Sequence, residues 1–208
     1  PVLYGAAYSV YVRAVRLALA EKGVACRLVE VDVFAPGGPP PEHLGRQPFG
    51  KIPAFEHEGF QLYEAGAIAR YVDEAFQGPA LQPAGVRQRA RMNQAIGILD
   101  SYAYPLLVWA IYVERVDAPR LGRTPDEAKI AAALPRAETC LQALEDVMGE
   151  GPWLAGRGLS LADLHAAPML DLFRRAPEGA GMLARHPGLS GWLERISARP
   201  SFAATAAS

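Results

Sequence analysis

QPFGKIPAFEHEGFQLYEAGAIARY, from Gln47 to Tyr71, is the stretch on which the reading of this chain turns. At its centre Ile52-Pro53 interrupts a run of strand-like residues. Proline has no N–H to give to a strand ladder, so it belongs at an edge or a turn. It also drives the residue before it into an extended conformation. Ile52 is therefore expected to turn its backbone N–H and C=O outward. Ala54-Phe55-Glu56 and Phe60-Gln61-Leu62, split by Glu58-Gly59, read as a hairpin. Glu64-Ala65-Gly66 then opens a helix over Ala65 to Phe76, with Ile68, Tyr71, Val72 and Phe76 on one side. Edge backbone followed by a carboxylate at a helix N-terminus suits a small peptide-like ligand with an amino end and a carboxylate end.

Upstream, Val2-Leu3-Tyr4 reads as a short strand. Ser9 is an N-cap candidate for a helix from Val10 to Lys22, which Gly23 closes. Cys26 to Val33 alternates as a strand does, and Ala35 to Pro41 (APGGPPP) is a loop by composition. Glu42 to Arg46 reads as one irregular turn. The order β-α-β, loop, β-β-α fills residues 1–77, and Gly78 to Ala84 reads as a linker. Everything from 85 to 208 is helical in pattern. Val86 to Val116 is one amphipathic run, with a kink expected at Pro105. Thr124-Pro125-Asp126-Glu127 predicts a helix start capped by Thr124, and Pro135 a second bend. Ser160-Leu161-Ala162-Asp163 predicts a capping box, with Leu159 and Leu164 as its hydrophobic staple. Two shorter helices follow, near Gly179 to Arg185 and Pro187 to Ala198. The fold class is α/β plus all-α.

The totals set limits on function. The chain has 208 residues, half of them hydrophobic, and a formal net charge of −1. Basic residues are scattered among acids, which favours neither nucleic acid nor an anionic membrane. No apolar run approaches a membrane span by eye, and the N-terminal residues show no signal-peptide pattern. Cys26 and Cys140 are expected to be reduced thiols in a cytoplasmic protein. The four histidines lack metal-ligand spacing, so no metal is expected.

Three segments together carry a resemblance. LYGAAYSVYVRAVRLALAEKGV, EHLGRQPFGKIPAFEHEGFQLYEAGAIARYV and WLAGRGLSLADLHAAPML are similar to the first strand and helix, the binding half and the capping-box helix of cytosolic glutathione transferases. The likeness runs nearly end to end. The His-Leu-x-x-x-Pro-Phe-Gly pattern and the serine at the first turn resemble the phi class and its bacterial relatives. The resemblance implies a thioredoxin-like N-terminal domain, a helical-bundle C-terminal domain, a homodimer, and a detoxifying enzyme that joins glutathione to hydrophobic electrophiles. Glutathione-dependent peroxide reduction or isomerisation, or non-enzymatic ligand carriage, are the alternatives on the same fold.

The implied chemistry needs a thiolate, which a hydroxyl donor and a helix N-terminus stabilise. Ser9 stands where both act; Tyr4, at the end of the first strand, is its rival, and Tyr8 adjoins it. By resemblance, a cis Pro53 presents the Ile52 backbone to glutathione's cysteinyl unit as an added strand would. Glu64 takes the γ-glutamyl amino group and the Ala65 N–H its carboxylate. The family usually has serine where Ala65 stands, so one hydroxyl hydrogen bond is absent. His43 and Lys51 match positions that hold the glycine carboxylate, and Arg13 is placed either to add positive potential or to serve structure. Tyr8, Tyr11, Phe34, Tyr102, Leu106, Trp109 and Phe173 are candidates for the electrophile pocket, against a reading of the same residues as core. Asp163 is assigned to structure.

Overall fold

The computed structural model describes residues 1–206 and divides into two compact units. The first holds Pro1–Gln82 together with the segment from Arg199 onward, and the second holds Pro83–Ala198.

In the first unit, β1 (Val2–Tyr4), β2 (Arg27–Val29), β3 (Ala54–His57) and β4 (Phe60–Tyr63) form one sheet in the order β2-β1-β3-β4. β1 runs parallel to β2 and antiparallel to β3, and β3 pairs antiparallel with β4. Glu58 and Gly59 both take positive φ between β3 and β4, the twist a two-residue hairpin turn needs. Helix α1 (Val10–Glu21) packs against α3 (Ala65–Ala75), and their buried faces carry Val12, Val15, Leu19, Ile68 and Val72. Gly23, at φ 68, ends α1 in the left-handed conformation that glycine favours. The short α2 (Pro41–Leu44) starts one residue earlier than the predicted turn.

This strand order has a direct consequence. The turn after β1, the loop after β2, the loop before β3 and the turn after β4 all lie at the same end of the sheet, because β1, β2 and β4 run one way and β3 the other. At that end Gly5 lies in very tight quarters. A Cβ there would strike Val12 Cγ2 and stand 3.3 Å from Ile52 Cβ. Only a residue without a side chain lets β1 pass between the first helix and the loop before β3.

The predicted second domain, 85–208, loses its last segment to the first unit. Helix α10 (Pro200–Ala204), absent from the predicted elements, lies along α1. Arg199 makes a two-pronged ion pair with Glu21 at 2.6 and 2.7 Å. The Arg13 guanidinium lies 4.2 Å from the Phe202 ring centre and donates to its carbonyl, while Arg16 donates to the Thr205 and Ala204 carbonyls. Arg13 is thus a structural residue, buried under aromatic and carbonyl groups.

The second unit is helical. Helix α4 (Val86–Ile98) continues as a π-type helix over Leu99–Asp117 and ends in α5 (Ala118–Arg120). Pro105, where a kink is expected, lies within this wider winding: a proline removes one backbone donor, and a changed ladder absorbs the mismatch. Together these elements span Val86–Arg120, and one 18-residue window within them, with a mean hydropathy of 1.4, is long and apolar enough to pass for a membrane span. They act instead as the central core helix of the unit, packed on α6 (Glu127–Met148) and α7 (Leu161–Phe173) and burying Leu99, Ala103, Leu107 and Ile111. Helix α6 is capped by Asp126, which accepts from the Lys129 N–H at 2.9 Å, and not by Thr124. A carboxylate two residues on is as good a cap as a threonine. Helices α8 (Pro177–Leu183) and α9 (Pro187–Ser197) complete the unit.

The capping box forms as predicted. Asp163 is fully buried and accepts from the Ser160 N–H and hydroxyl at 2.7 Å each, and from the Leu154 N–H and the Trp192 indole at 2.8 Å each. Burial pushes its carboxyl pKa up, against the pull of these donors. All four partners give hydrogens, so an amide NH2 here would face at least one donor. Asp163→Asn is expected to destabilise the protein by about 2–4 kcal/mol, read as a lowered urea midpoint.

Candidate active site

Three segments meet at the common end of the sheet in the first unit. The first is the turn Gly5–Ser9. Ser9 is the N-cap of α1, in extended conformation, and its Oγ accepts from the Val12 N–H at 3.4 Å. Because that contact uses an oxygen lone pair, the hydroxyl proton remains to be donated elsewhere. Structural cap and hydrogen-bond donor are therefore compatible roles. The rival Tyr4 is occupied: its hydroxyl donates to Glu56 at 3.4 Å and the Arg46 guanidinium covers its ring at 4.3 Å. The Tyr8 hydroxyl donates to Asp32 at 3.1 Å, and the ring lies 5.9 Å from that of Phe34. Burial first, then the hydrogen bond and charge of Asp32, push the Tyr8 phenol up to about 12. Such a group holds its own proton firmly.

The second segment runs from Gln47 to Pro53, and the Ile52-Pro53 bond is cis. Gln47 is buried, and its Oε1 accepts from the N–H groups of Phe49 at 2.7 Å and Lys51 at 3.1 Å. The Nε2 of His43 lies 2.7 Å from the Lys51 carbonyl. Gln47 and His43 thus hold the Lys51 backbone from both sides, while its side chain is exposed. Backbone hydrogen bonds are made by Gly50 in this loop but, among the described residues, by no group of Ile52.

The third segment is the start of α3. Glu64 sits at φ 71, ψ 113, an uncommon conformation for a residue with a side chain, and its carboxylate does not cap the helix behind it. Its carbonyl accepts from the Ala67 and Ile68 N–H groups. The N–H groups of Ala65 and Gly66 lie in the first turn, where a helix supplies no internal acceptor. Glu64 thus lies beside the first N–H groups of α3 without capping them.

In the second unit, Tyr102 and Trp109 of the π-type segment are 59 % and 37 % exposed, and Trp109 meets Tyr104 edge-on at 6.4 Å. Leu106 is buried and Phe173 wholly so.

Comparison with known proteins supplies the identity. The family model described as glutathione S-transferase, N-terminal domain, matches residues 3–80, and that of the C-terminal domain matches residues 98–200. Glutathione S-transferase 4 of Zea mays is 33% identical over 96% of this chain and 88% of its own length. The crystal structure of glutathione transferase F7 from Populus trichocarpa superposes with a TM-score of 0.85 at 30% identity, covering 98% of this chain and 96% of that one. Maize glutathione S-transferase I, solved with an atrazine glutathione conjugate, gives a TM-score of 0.83 at 29% identity, covering 98% of this chain and 95% of that one. The chain belongs to the glutathione S-transferase family. Its relatives are of the phi class, and it is a transferase acting on glutathione.

His43, expected to hold the glycine carboxylate, has its ring buried at 1 % exposure beneath the loop, with Nε2 on the Lys51 carbonyl and Nδ1 without a partner among the described residues. Phe173, expected in the electrophile pocket, is wholly buried in the core of its own unit. Two residues were missed. Gln47 opens the deciding stretch, and a short polar side chain ahead of a Pro-Phe-Gly turn is a known backbone binder. Asp32, which ties down both Tyr8 and Phe34, carries no sequence signal beyond its place after a strand.

Gln47→Leu keeps the volume and strands two buried N–H groups. It is expected to cost about 1–3 kcal/mol of stability and to raise the KM for glutathione more than that for the electrophile. An unchanged glutathione KM would mean the loop holds its shape without the amide.

Proposed function

We propose that Ser9 Oγ donates its proton's hydrogen bond to the sulfur of bound glutathione and holds it as the thiolate, which attacks a hydrophobic electrophile. The observation that carries this reading is the position of Ser9: an N-cap whose hydroxyl proton is not used by the helix, at the positive end of α1. The helix end and the hydroxyl favour the anion together, and a thiol whose ordinary pKa is about 8.5 is brought nearer to neutrality. The proton lost on ionisation passes to solvent. Attack forms the sulfur–carbon bond and expels the electrophile's leaving group.

The tripeptide is read onto the remaining groups. The unbonded Ile52 backbone takes the cysteinyl unit in the manner of an added strand. Glu64 pairs with the γ-glutamyl ammonium, and the Ala65 N–H serves the adjacent carboxylate. Lys51 meets the glycine carboxylate through its exposed ammonium, its backbone held by Gln47 and His43. Ala65 brings no hydroxyl to this set, so the main-chain donors carry the load. Tyr8, Tyr11 and Phe34 are the first unit's side chains offered to hydrophobic electrophiles, and detoxification is the role this chemistry suits.

A homodimer is part of the proposal. Phe49 is 68 % exposed beside the half-covered Tyr63 on the edge strand β4, their rings 6.1 Å apart and edge-on. A large apolar side chain held out next to a sheet edge suits a surface covered by a second copy. A cytoplasmic location fits the free thiols of Cys26 and Cys140.

Ser9→Ala is expected to lower turnover of an aryl halide about 100-fold or more, a span typical of a lost transition-state donor. The ultraviolet thiolate band of the enzyme–glutathione complex should then titrate near the free-thiol value of about 8.5. Near wild-type turnover would sink the assignment of Ser9. Assay of an organic hydroperoxide alongside the aryl halide distinguishes transfer from peroxide reduction. Phe49→Asp should shift sedimentation from dimer to monomer; an unchanged dimer would remove Phe49 from the interface.

A further inference from the structure

Phe34 and Tyr8 are the most unusual pair of aromatic rings in the first unit. They are 64 % and 47 % exposed, yet they pack together at 5.9 Å with planes inclined by 32°. Exposed aromatic side chains on two loops ordinarily pay rotamer entropy to stay in one arrangement. Here both loops are tied to one atom. Asp32 Oδ1 accepts from the Tyr8 hydroxyl at 3.1 Å and from the Phe34 backbone N–H at 2.9 Å. The first bond fixes the tilt of the Tyr8 ring, and the second fixes the turn that carries Phe34. Tyr8 is bonded in sequence to Ser9, and the turn after β2 lies at the same sheet end as the turn after β1. The tied rings therefore belong to the loops at the sheet end that carries Ser9.

We infer that Asp32 is a positioning residue for electrophile choice: by holding Tyr8 and Phe34 in one tilted pair, it builds a rigid platform for flat, aromatic electrophiles. This rests on the proposed glutathione site and deepens it. Asp32 itself need touch no substrate. Its exposed carboxylate makes both bonds. The raised Tyr8 phenol agrees with this: burial, the Asp32 bond and charge, and the Glu30 charge raise it, opposed by the Val33 backbone. Sign follows directly. The hydrogen bond is intact while Tyr8 is protonated, so the tie persists through neutral and mildly alkaline pH and is released only as the phenol ionises near pH 12.

The test compares non-reactive glutathione derivatives bound to the intact enzyme, so that no turnover is needed. Calorimetry gives the dissociation constants of S-methylglutathione and S-benzylglutathione, and their ratio measures what the aryl group gains. Wild type is expected to prefer the benzyl form by about three- to tenfold, the scale of an aromatic contact. Asp32→Ala should bring that ratio close to one while S-methylglutathione affinity stays within about twofold. Asp32→Asn keeps an acceptor for both donors and should retain most of the preference. Phe34→Ala, a surface substitution, should match Asp32→Ala. Alkaline difference spectra against Tyr8→Phe should show the Tyr8 transition of about pH 12 moved lower in Asp32→Ala. An unchanged ratio in Asp32→Ala, or equal losses for both derivatives, overturns the proposal while leaving the glutathione site standing. Failure of wild type to bind either derivative overturns both.

Discussion

The first unit depends on the absence of one side chain. Gly5 ends β1 where α1 and the loop before β3 close to within contact of its Cα, and a single added carbon would strike Val12 and crowd Ile52. This closeness sets the spacing between the start of α1 and the loop that carries Ile52. Core packing is nearly incompressible, so the gap cannot be widened by a small shift of the helix. The sheet order does the rest, placing Ser9, Asp32 with Phe34, Ile52 and Glu64 at ends of four adjacent strands.

In the proposed reading, binding and activation fall to different physical devices at this sheet end. The proposed partner of the ligand's peptide-like middle is main chain, beneath which Gln47 and His43 are buried and hold the Lys51 backbone. The groups proposed for its charged ends are the Glu64 carboxylate and the first N–H groups of α3, and for the sulfur the start of α1. Two helices begin at this sheet end, and the positive end of each favours negative charge.

Much of this was readable before any coordinates. The hairpin at Glu58-Gly59, the helix from Ala65, the N-cap Ser9 and the Ser160–Asp163 box are local patterns in which side-chain chemistry and backbone demand agree, and they form as read. Failures came where a tertiary partner decides. Thr124 and Asp126 are equal as caps by pattern, and the contacts of Glu114 with the Asp126 N–H and the Lys129 ammonium accompany the choice of the second. His43 is a plausible ligand until the loop buries it. Phe173 and Trp109 sit in similar apolar runs, yet only packing decides that one is core and the other partly open. Asp32 acts through two residues distant from one another in sequence, Tyr8 and Phe34, and no local pattern announces that.

The clasp of α10 on α1 joins the two extremes of the chain's described order. Glu21 and Arg199, the ion-paired partners, are separated by the whole helical unit. During synthesis α1 precedes the helical unit, while Arg199, Ser201 and Phe202, which contact it, follow that unit. The thioredoxin-like half can gather its sheet and helices in advance, yet these contacts wait until the second unit has been made. Long-range closure of this sort is slow compared with local pairing, and domains otherwise tend to finish in the order of translation. The unit that holds Ser9 therefore begins folding before the helical unit and is completed after it.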